Sequence, residues 1–167
     1  KLKVKYNNLL TIIIPRHVER IQKIKNEIQE LNLNTHIHSA KNKMATNTDI
    51  YLLDSYGKTK SFFKVCKIVF LGGSLIKHGG QNPLEAARYG SRILHGPNIW
   101  NFKEIYDLLK KFKISNKIKN INQMKSIIQY LLNHKTNSKN VKAKISNLGN
   151  KILKNTFKEI YFFIKKK

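Results

Sequence analysis

The chain has 167 residues, 41% of them hydrophobic, and it carries a formal net charge of +24. This length and apolar content suit a folded domain with a buried core and exclude a wholly disordered chain. No apolar run approaches the roughly 18 residues that a membrane-spanning helix needs. The single cysteine excludes an internal disulfide and a cysteine-based zinc cluster.

The positive charge is spread along the whole chain, with a net charge of +10 in residues 1–102 and +14 in residues 103–167. Lysine supplies 29 of the 33 cations, whereas surfaces that read nucleic-acid bases favour arginine. Lys, Ile and Asn make up 70 of the 167 residues, and all three have codons rich in A and T. The charge alone leaves both a nucleic acid and an anionic membrane surface open as partners.

The first two thirds of the chain predict strands that alternate with helices. Residues 9–14 form a β-branched strand that ends at Pro15, and apolar residues at spacings of three and four predict a helix over 18–31. The following elements are a strand at 35–39, a strand at 50–53, a helix at 59–66, a strand at 67–71, a helix at 83–89, a strand at 92–95 and a helix through 112 that Asn101 caps. This alternation favours parallel pairing, so we predict one Rossmann-like α/β sheet with flanking helices.

The remaining residues, 113–167, are rich in Lys and Asn and have apolar residues at helical spacing. We therefore predict a domain core at 1–112 and a basic helical segment at 113–167 that packs on the same domain. The last apolar stripe, which contains Tyr161 and Ile164, precedes three lysines. This pattern is typical of a helix that touches a membrane surface, and equally of one that packs against protein.

Seven of the eight glycines lie between Gly57 and Gly96. Because glycine allows the backbone to approach a ligand closely, we expect the ligand to bind in this region. Ligands of doubly wound sheets bind at the carboxyl ends of the strands. We therefore expect four segments to meet there. They are residues 15–17, 54–57, 72–74 and 79–85.

The segment 79–85 reads as a flexible loop that enters a helix. Asn82 is a good N-cap, and Pro83 suits the first helical turn. Free N–H groups at such a start favour an anion. Glu85 can close a capping box or accept hydrogen bonds from a ribose diol, and Arg16 can bind a phosphate or remain solvated.

No hydrolytic or metal-binding constellation competes with this site. His36 and His38 share a strand face but have no third ligand nearby, and Asp49 and Asp54 fit strand-end and turn positions. The glycine spacing matches neither a dinucleotide fingerprint nor a Walker loop. The residues alone therefore predict a nucleotide or phosphate site without a metal or cofactor.

Five ordered segments of this sequence resemble a known enzyme family. They are Ile14-Pro15-Arg16-His17 with Glu19-Arg20, then Asp54-Ser55-Tyr56-Gly57, Phe70-Leu71-Gly72-Gly73-Ser74-Leu75, Gly79-Gly80-Gln81-Asn82-Pro83-Leu84-Glu85, and Gly96-Pro97 with Asn101-Phe102 and Glu104-Ile105. Their order and spacing over residues 9–110 resemble the transferases of 3-deoxy-D-manno-octulosonic acid (Kdo) in lipopolysaccharide synthesis.

The resemblance implies the carboxyl-terminal, donor-binding half of a two-domain GT-B glycosyltransferase. Such an enzyme moves Kdo from CMP-Kdo to a lipid A precursor without a metal, at the cytoplasmic face of the bacterial inner membrane. The positions that would bind CMP are Pro15, Arg16, Tyr56, Gly57, Lys58, Asn82, Pro83, Leu84 and Glu85. Further donor contacts are expected from Gly73, Ser74, Gly80 and Gln81.

The chain also departs from the family pattern. Tyr56-Gly57-Lys58 stands where the family usually has Met-Gly-Glu, and Gln81 stands where it usually has His. We expect the first βα unit of the domain and the acceptor domain, with the catalytic carboxylate and the membrane anchor, to lie outside this chain. No catalytic residue is therefore assigned here, and we expect the chain to be inactive alone. The alternatives are a basic nucleic-acid-binding protein and another nucleotide-sugar-dependent transferase on the same fold.

Overall fold

The computed structural model describes residues 2–134 and 137–165. The chain divides into two compact units, the first ending at Thr59 and the second beginning at Lys60. Each unit contains one three-stranded parallel sheet with helices around it. A Rossmann-like α/β fold of parallel sheets and flanking helices, the predicted fold class, is therefore confirmed.

The first unit is built around a short sheet in which the last strand is central. Its elements are α1 (Leu2–Lys5), β1 (Thr11–Ile13), a 3-10 turn (Val18–Arg20), α2 (Ile21–Glu30), β2 (Thr35–Ile37) and β3 (Ile50–Leu52). Strand β3 pairs in parallel with both β1 and β2, so that Ile50 lies opposite Thr11 on one side and Thr35 on the other. The carboxyl ends of all three strands therefore lie at one edge of this sheet.

The second unit repeats the parallel pattern and adds long helices. Its elements are α3 (Thr59–Val65, whose first residue closes the first unit), β4 (Ile68–Leu71), α4 (Leu84–Arg88), β5 (Arg92–His95), a 3-10 turn (Trp100–Phe102), α5 (Lys103–Lys111), β6 (Ser115–Lys117), α6 (Ile121–Asn133) and α7 (Ser138–Lys165). Strand β5 is central and pairs with β4 and β6. Its Ile93 and Leu94 are completely buried.

Apolar periodicity explains which helix faces are buried in the second unit. Tyr106 and Leu109 of α5 pack in the core, and Val141 and Ile145 of α7 join the same cluster. From residue 149 onward the described part of α7 is exposed, including the apolar stripe of Phe157, Ile160, Tyr161 and Ile164.

Within the two described ranges, 2–134 and 137–165, no helix combines the length and apolar content needed to cross a bilayer. The boundary predicted at residue 112 is not tested by these observations and stays a prediction.

Three sequence expectations need correction. The strands form two three-stranded sheets instead of one, because periodicity predicts where strands occur and tertiary packing decides which of them share hydrogen bonds. The stretch 113–167 is not purely helical, since the polar residues Ser115–Lys117 form strand β6 through main-chain pairing with β5. Finally, Asn101 does not cap α5, whose N-cap position is occupied by Phe102.

Candidate functional site

The candidate region of the first unit is the turn that follows β3, residues 54–58, here called the first-unit turn. The hydroxyl of Tyr56 accepts a hydrogen bond from the backbone N–H of Val18 at 3.2 Å and donates one to Glu19 Oε1 at 3.0 Å. Gly57 has a φ of +79°, which permits the turn without strain. The 3-10 turn Val18–Arg20, which directly follows the predicted segment 15–17, therefore contacts the first-unit turn.

Both carboxylates at this edge are engaged by neutral donors. Asp54 accepts hydrogen bonds from the hydroxyl and the backbone N–H of Ser39, and the hydroxyl bond is the main reason why the pKa of Asp54 lies below its usual value. Hydrogen bonds from its own backbone N–H and from Tyr56 likewise lower the pKa of Glu19. Both side chains are therefore ionised at neutral pH.

The cations at the same edge are arranged differently. Arg16, one residue beyond the partly buried Pro15, and Lys58 are both exposed. Among the residues that the structure describes, neither forms an ion pair with a carboxylate. Instead, Lys58 Nζ lies 2.7 Å from His38 Nε2, and His38 Nδ1 lies 2.6 Å from the hydroxyl of Tyr51.

The candidate region of the second unit is the loop and helix start at residues 79–85, here called the second-unit loop. The side chain of Asn101 clamps it, because Oδ1 accepts from the N–H of Gly80 at 2.9 Å and Nδ2 donates to the carbonyl of Gly80 at 2.8 Å. The hydroxyl of Tyr106 donates to the carbonyl of Gln81 at 2.9 Å. Two side chains from one segment therefore fix the backbone of this loop.

The second-unit loop ends at the start of helix α4. Asn82 Oδ1 accepts from the backbone N–H of Leu84 at 3.0 Å. The N-cap position of α4 is nevertheless occupied by Pro83 and not by Asn82, because the helix begins one residue later than the sequence predicts. Glu85 is exposed, and within the described ranges its carboxylate has no hydrogen-bond or ion-pair partner. The capping box is therefore not formed. The side chain of Pro83 is fully buried.

A buried serine supports the region next to this loop. The hydroxyl of Ser74 donates to the carbonyl of Leu71 at 2.7 Å and accepts from the N–H of Gly96 at 2.8 Å. A Cβ atom at Gly96 would lie 2.2 Å from the carbonyl oxygen of Ser74, so only glycine fits there. Ser74 is completely buried, and its hydroxyl both donates and accepts a hydrogen bond within the protein. The preceding Gly73 is partly exposed.

Burial shapes the chemistry of two groups behind the second-unit loop. The rings of His95 and Tyr106 lie 4.3 Å apart between centroids. Burial lowers the pKa of His95 and raises the pKa of Tyr106 well above its usual range. Both groups are therefore uncharged at neutral pH, and the Tyr106 hydroxyl remains a hydrogen-bond donor for Gln81.

The two histidines considered as metal ligands have other roles. His36 lies against the ring of Tyr51, with ring centroids 5.4 Å apart, and His38 bridges Tyr51 and Lys58. Across the described residues there is no group of three or more His, Cys, Asp or Glu side chains that could hold a metal ion.

Sequence reasoning missed the residues that hold the site in shape. The sequence pattern indicates a helix cap for Asn101, a core aromatic residue for Tyr106 and a weak candidate for a metal ligand for His38. Asn101 lies 21 residues from the glycine that it clamps. No local signal could have revealed this contact, because it depends on which strand ends are neighbours.

Comparison with known proteins found relatives over most of the chain. The chain is 30% identical to a 3-deoxy-D-manno-octulosonic acid transferase of Haemophilus influenzae over 91% of its own length and 35% of that protein. It is 34% identical to the enzyme of the same name from Rickettsia felis, over 85% of this chain and 30% of the relative. The chain thus spans about a third of the length of these curated relatives. No protein-family model matches it.

A solved structure has the same fold. The crystal structure of the C-terminal CMP-Kdo binding domain of WaaA from Acinetobacter baumannii superposes with a TM-score of 0.77 and 28% sequence identity, covering 87% of this chain and 78% of that one. The resemblance predicted from five short segments is therefore confirmed over most of the chain. In sequence and in fold, this chain is a homologue of the Kdo transferases and matches their C-terminal CMP-Kdo-binding domain.

Proposed function

We propose that this chain binds CMP-Kdo as the donor-binding part of a Kdo glycosyltransferase. The observation that carries the proposal is the second-unit loop in a chain homologous to Kdo transferases. Its backbone is fixed by Asn101 and Tyr106, and it ends at the start of α4, where the carboxylate of Glu85 is exposed. A fixed backbone and an uncommitted carboxylate suit a nucleotide, because little ordering entropy is lost when the ligand binds.

Each predicted residue has a chemical role in this proposal. The cations Arg16 and Lys58 meet the phosphate of CMP, since a charge-assisted hydrogen bond is worth about 1.5–3 kcal/mol. Glu85 accepts hydrogen bonds from the two ribose hydroxyls. The other predicted contacts are made by Pro15, Tyr56, Gly57, Gly73, Gly80, Gln81, Asn82 and Leu84. Pro83 and Ser74 are buried, so their role is to shape the backbone that the donor meets.

The whole enzyme, in this proposal, transfers Kdo from CMP-Kdo to a lipid A precursor in lipopolysaccharide core synthesis. It works without a metal, because Arg16 and Lys58 supply the positive charge that faces the phosphate. Its location is the cytoplasmic face of the bacterial inner membrane, where the precursor and the anionic surface would meet the lysine-rich chain. The nucleic-acid-binding alternative is not favoured, since the relatives are transferases.

Titration of the chain with CMP tests the proposal. We expect binding of CMP that exceeds binding of AMP, followed by NMR chemical-shift changes or calorimetry. Arg16→Ala should weaken CMP binding about tenfold, because it removes one charge-assisted hydrogen bond. Glu85→Gln should weaken it several-fold, because a neutral amide accepts more weakly from the ribose hydroxyls than a carboxylate does.

Two matched variants control for charge. Arg20→Ala removes an exposed cation close to Arg16 in sequence, and Glu104→Gln neutralises an exposed acid in the first turn of α5. Both should bind CMP like the unsubstituted chain. Equal affinity for CMP and AMP, or equal losses in the site variants and their controls, would contradict the proposed function.

A further inference from the structure

The turn at Tyr56-Gly57-Lys58 contains a cation whose position is set by a histidine. Lys58 Nζ lies 2.7 Å from His38 Nε2. An ammonium group can only donate hydrogen bonds, so His38 Nε2 must accept. The proton of the neutral ring is then on Nδ1, which donates to the Tyr51 hydroxyl at 2.6 Å. The contacts thus define one tautomer and one direction for this chain of hydrogen bonds.

The rest of the edge leaves this cation available to an anion. Asp54 is bonded to Ser39 and Glu19 is bonded to Tyr56, so both nearby carboxylates already accept hydrogen bonds from neutral groups. Lys58 is exposed. Its ammonium group has three N–H donors, and one of them is bonded to His38. The remaining donors have no carboxylate partner among the described residues, so they are available to a ligand with an anionic oxygen.

We propose that His38 is a positioning residue which, through its bond to Lys58, directs the lysine ammonium at the phosphate group of the bound nucleotide. The inference rests on the proposed function and adds the residue that positions Lys58 for its contact with the phosphate. A lysine on a flexible stem loses side-chain entropy when it binds a ligand. Holding it with a ring that is itself tied to strand β3 reduces that loss.

The experiment compares CMP with cytidine, which lacks the phosphate, for a set of single and double variants. We expect Lys58→Ala to weaken CMP binding about tenfold and to leave cytidine binding unchanged. His38→Ala should reproduce most of this loss, and the double variant should bind CMP no more weakly than Lys58→Ala alone, because both changes remove one interaction. His38→Gln should restore much of the affinity, since its side-chain oxygen can accept from Lys58. Lys60→Ala, an exposed lysine on α3, is the control.

A measurement without ligand tests the hydrogen bonds from Lys58 to His38 and from His38 to Tyr51 by themselves. The ring nitrogens of His38, observed by nitrogen NMR near neutral pH, should show a protonated Nδ1 and an unprotonated Nε2. The opposite tautomer would overturn the proposed positioning of Lys58 by His38, whether or not the chain binds CMP.

Several outcomes would overturn the inference. They are an unchanged CMP affinity for Lys58→Ala or His38→Ala, additive losses in the double variant, and equal losses for CMP and cytidine. A different result separates the two proposals: an unsubstituted chain that binds no CMP would defeat the proposed function, and the role of His38 towards phosphate with it, even where the predicted tautomer is observed.

Discussion

The two candidate regions, one in each unit, are held in place by different means. In the first-unit turn, side chains hold one another: Tyr56 bridges to Glu19, and His38 to Lys58. In the second-unit loop, side chains hold the backbone: Asn101 clamps Gly80, and Tyr106 holds Gln81. The first arrangement places charged groups at the edge of a sheet, and the second fixes main-chain amides and a helix start.

Because of this difference, the two regions should respond differently to substitution. Exposed polar side chains exchange partners with water at little cost, so a substitution in the first-unit turn acts mainly on binding. Buried groups behind the second-unit loop cannot exchange their partners with water. A buried polar group that loses its hydrogen-bond partner lowers the stability by about 1–3 kcal/mol. Substitutions there should act on stability and on binding together.

The largest expected effect is loss of stability in the second unit through Gly96→Ala. The new Cβ would lie 2.2 Å from the carbonyl oxygen of Ser74, and the next atoms are also backbone. Relieving this overlap requires strand β5 or the turn after β4 to move. We expect the free energy of unfolding to fall by about 3 kcal/mol.

Urea unfolding followed by fluorescence measures this loss, because Trp100 is the single tryptophan and lies in the second unit. Gly72→Ala is the matched control, since a Cβ there meets nothing within 4 Å. We expect its free energy of unfolding to change by less than about 0.5 kcal/mol. Similar losses for the two variants would refute the close approach as the reason for glycine at position 96.

An intermediate effect is expected for Asn101→Ala, which removes both bonds to Gly80. Each neutral hydrogen bond contributes about 0.5–1.5 kcal/mol, so CMP affinity should fall about tenfold if the clamp orders the loop for binding. Calorimetric titration measures the affinity. Asn122→Ala, on the exposed surface of α6, should leave CMP binding unchanged.

Asn101→Asp tests the two hydrogen bonds to Gly80 separately. Its carboxylate still accepts from the N–H of Gly80 but repels the carbonyl of Gly80, so CMP affinity should fall at least as far as in the alanine variant. If both substitutions lower stability and leave CMP affinity unchanged, Asn101 supports the fold and does not prepare the loop.

The smallest expected effect is a difference in pH dependence between the two units. Burial lowers the pKa of His95 in the folded state. At a pH below the ordinary histidine pKa of about 6.5, the unfolded chain therefore binds more protons than the folded chain does. The stability of the second unit should therefore decrease as the pH falls below about 6.5, and level off below the folded pKa. For Asp54, the lowered pKa means that stability in the first unit is retained until the pH falls below about 4.

Urea unfolding at pH 7.5 and pH 5.5 checks this difference, with Trp100 fluorescence reporting on the second unit and amide signals of β3 reporting on the first. His95→Asn keeps an N–H donor near the carbonyl of Gly96, to which His95 Nδ1 bonds at 2.8 Å, and should remove the loss of stability at pH 5.5. An equal loss in both units, unaffected by this variant, would disprove the role of His95.

Much of this protein can be predicted from local patterns. Short apolar runs predict β1, β3 and β4, and the predicted strand Arg92–His95 has the bounds that the structure shows. Apolar spacing located α2, and the Asn82-Pro83 pair marked the start of a helix. These predictions succeed because strands, helices and caps depend on neighbours within a few residues.

Tertiary structure alone decided the division of the strands into two sheets, the inclusion of Ser115–Lys117 as a strand and the contacts that shape the site. Asn101 meets Gly80 across 21 residues of sequence, and Lys58 meets His38 across 20. Sequence determined which residue types are available at the strand ends. Which of those ends become neighbours depends on strand pairing and core packing, and these follow from the free energy of the whole fold, which no short segment contains.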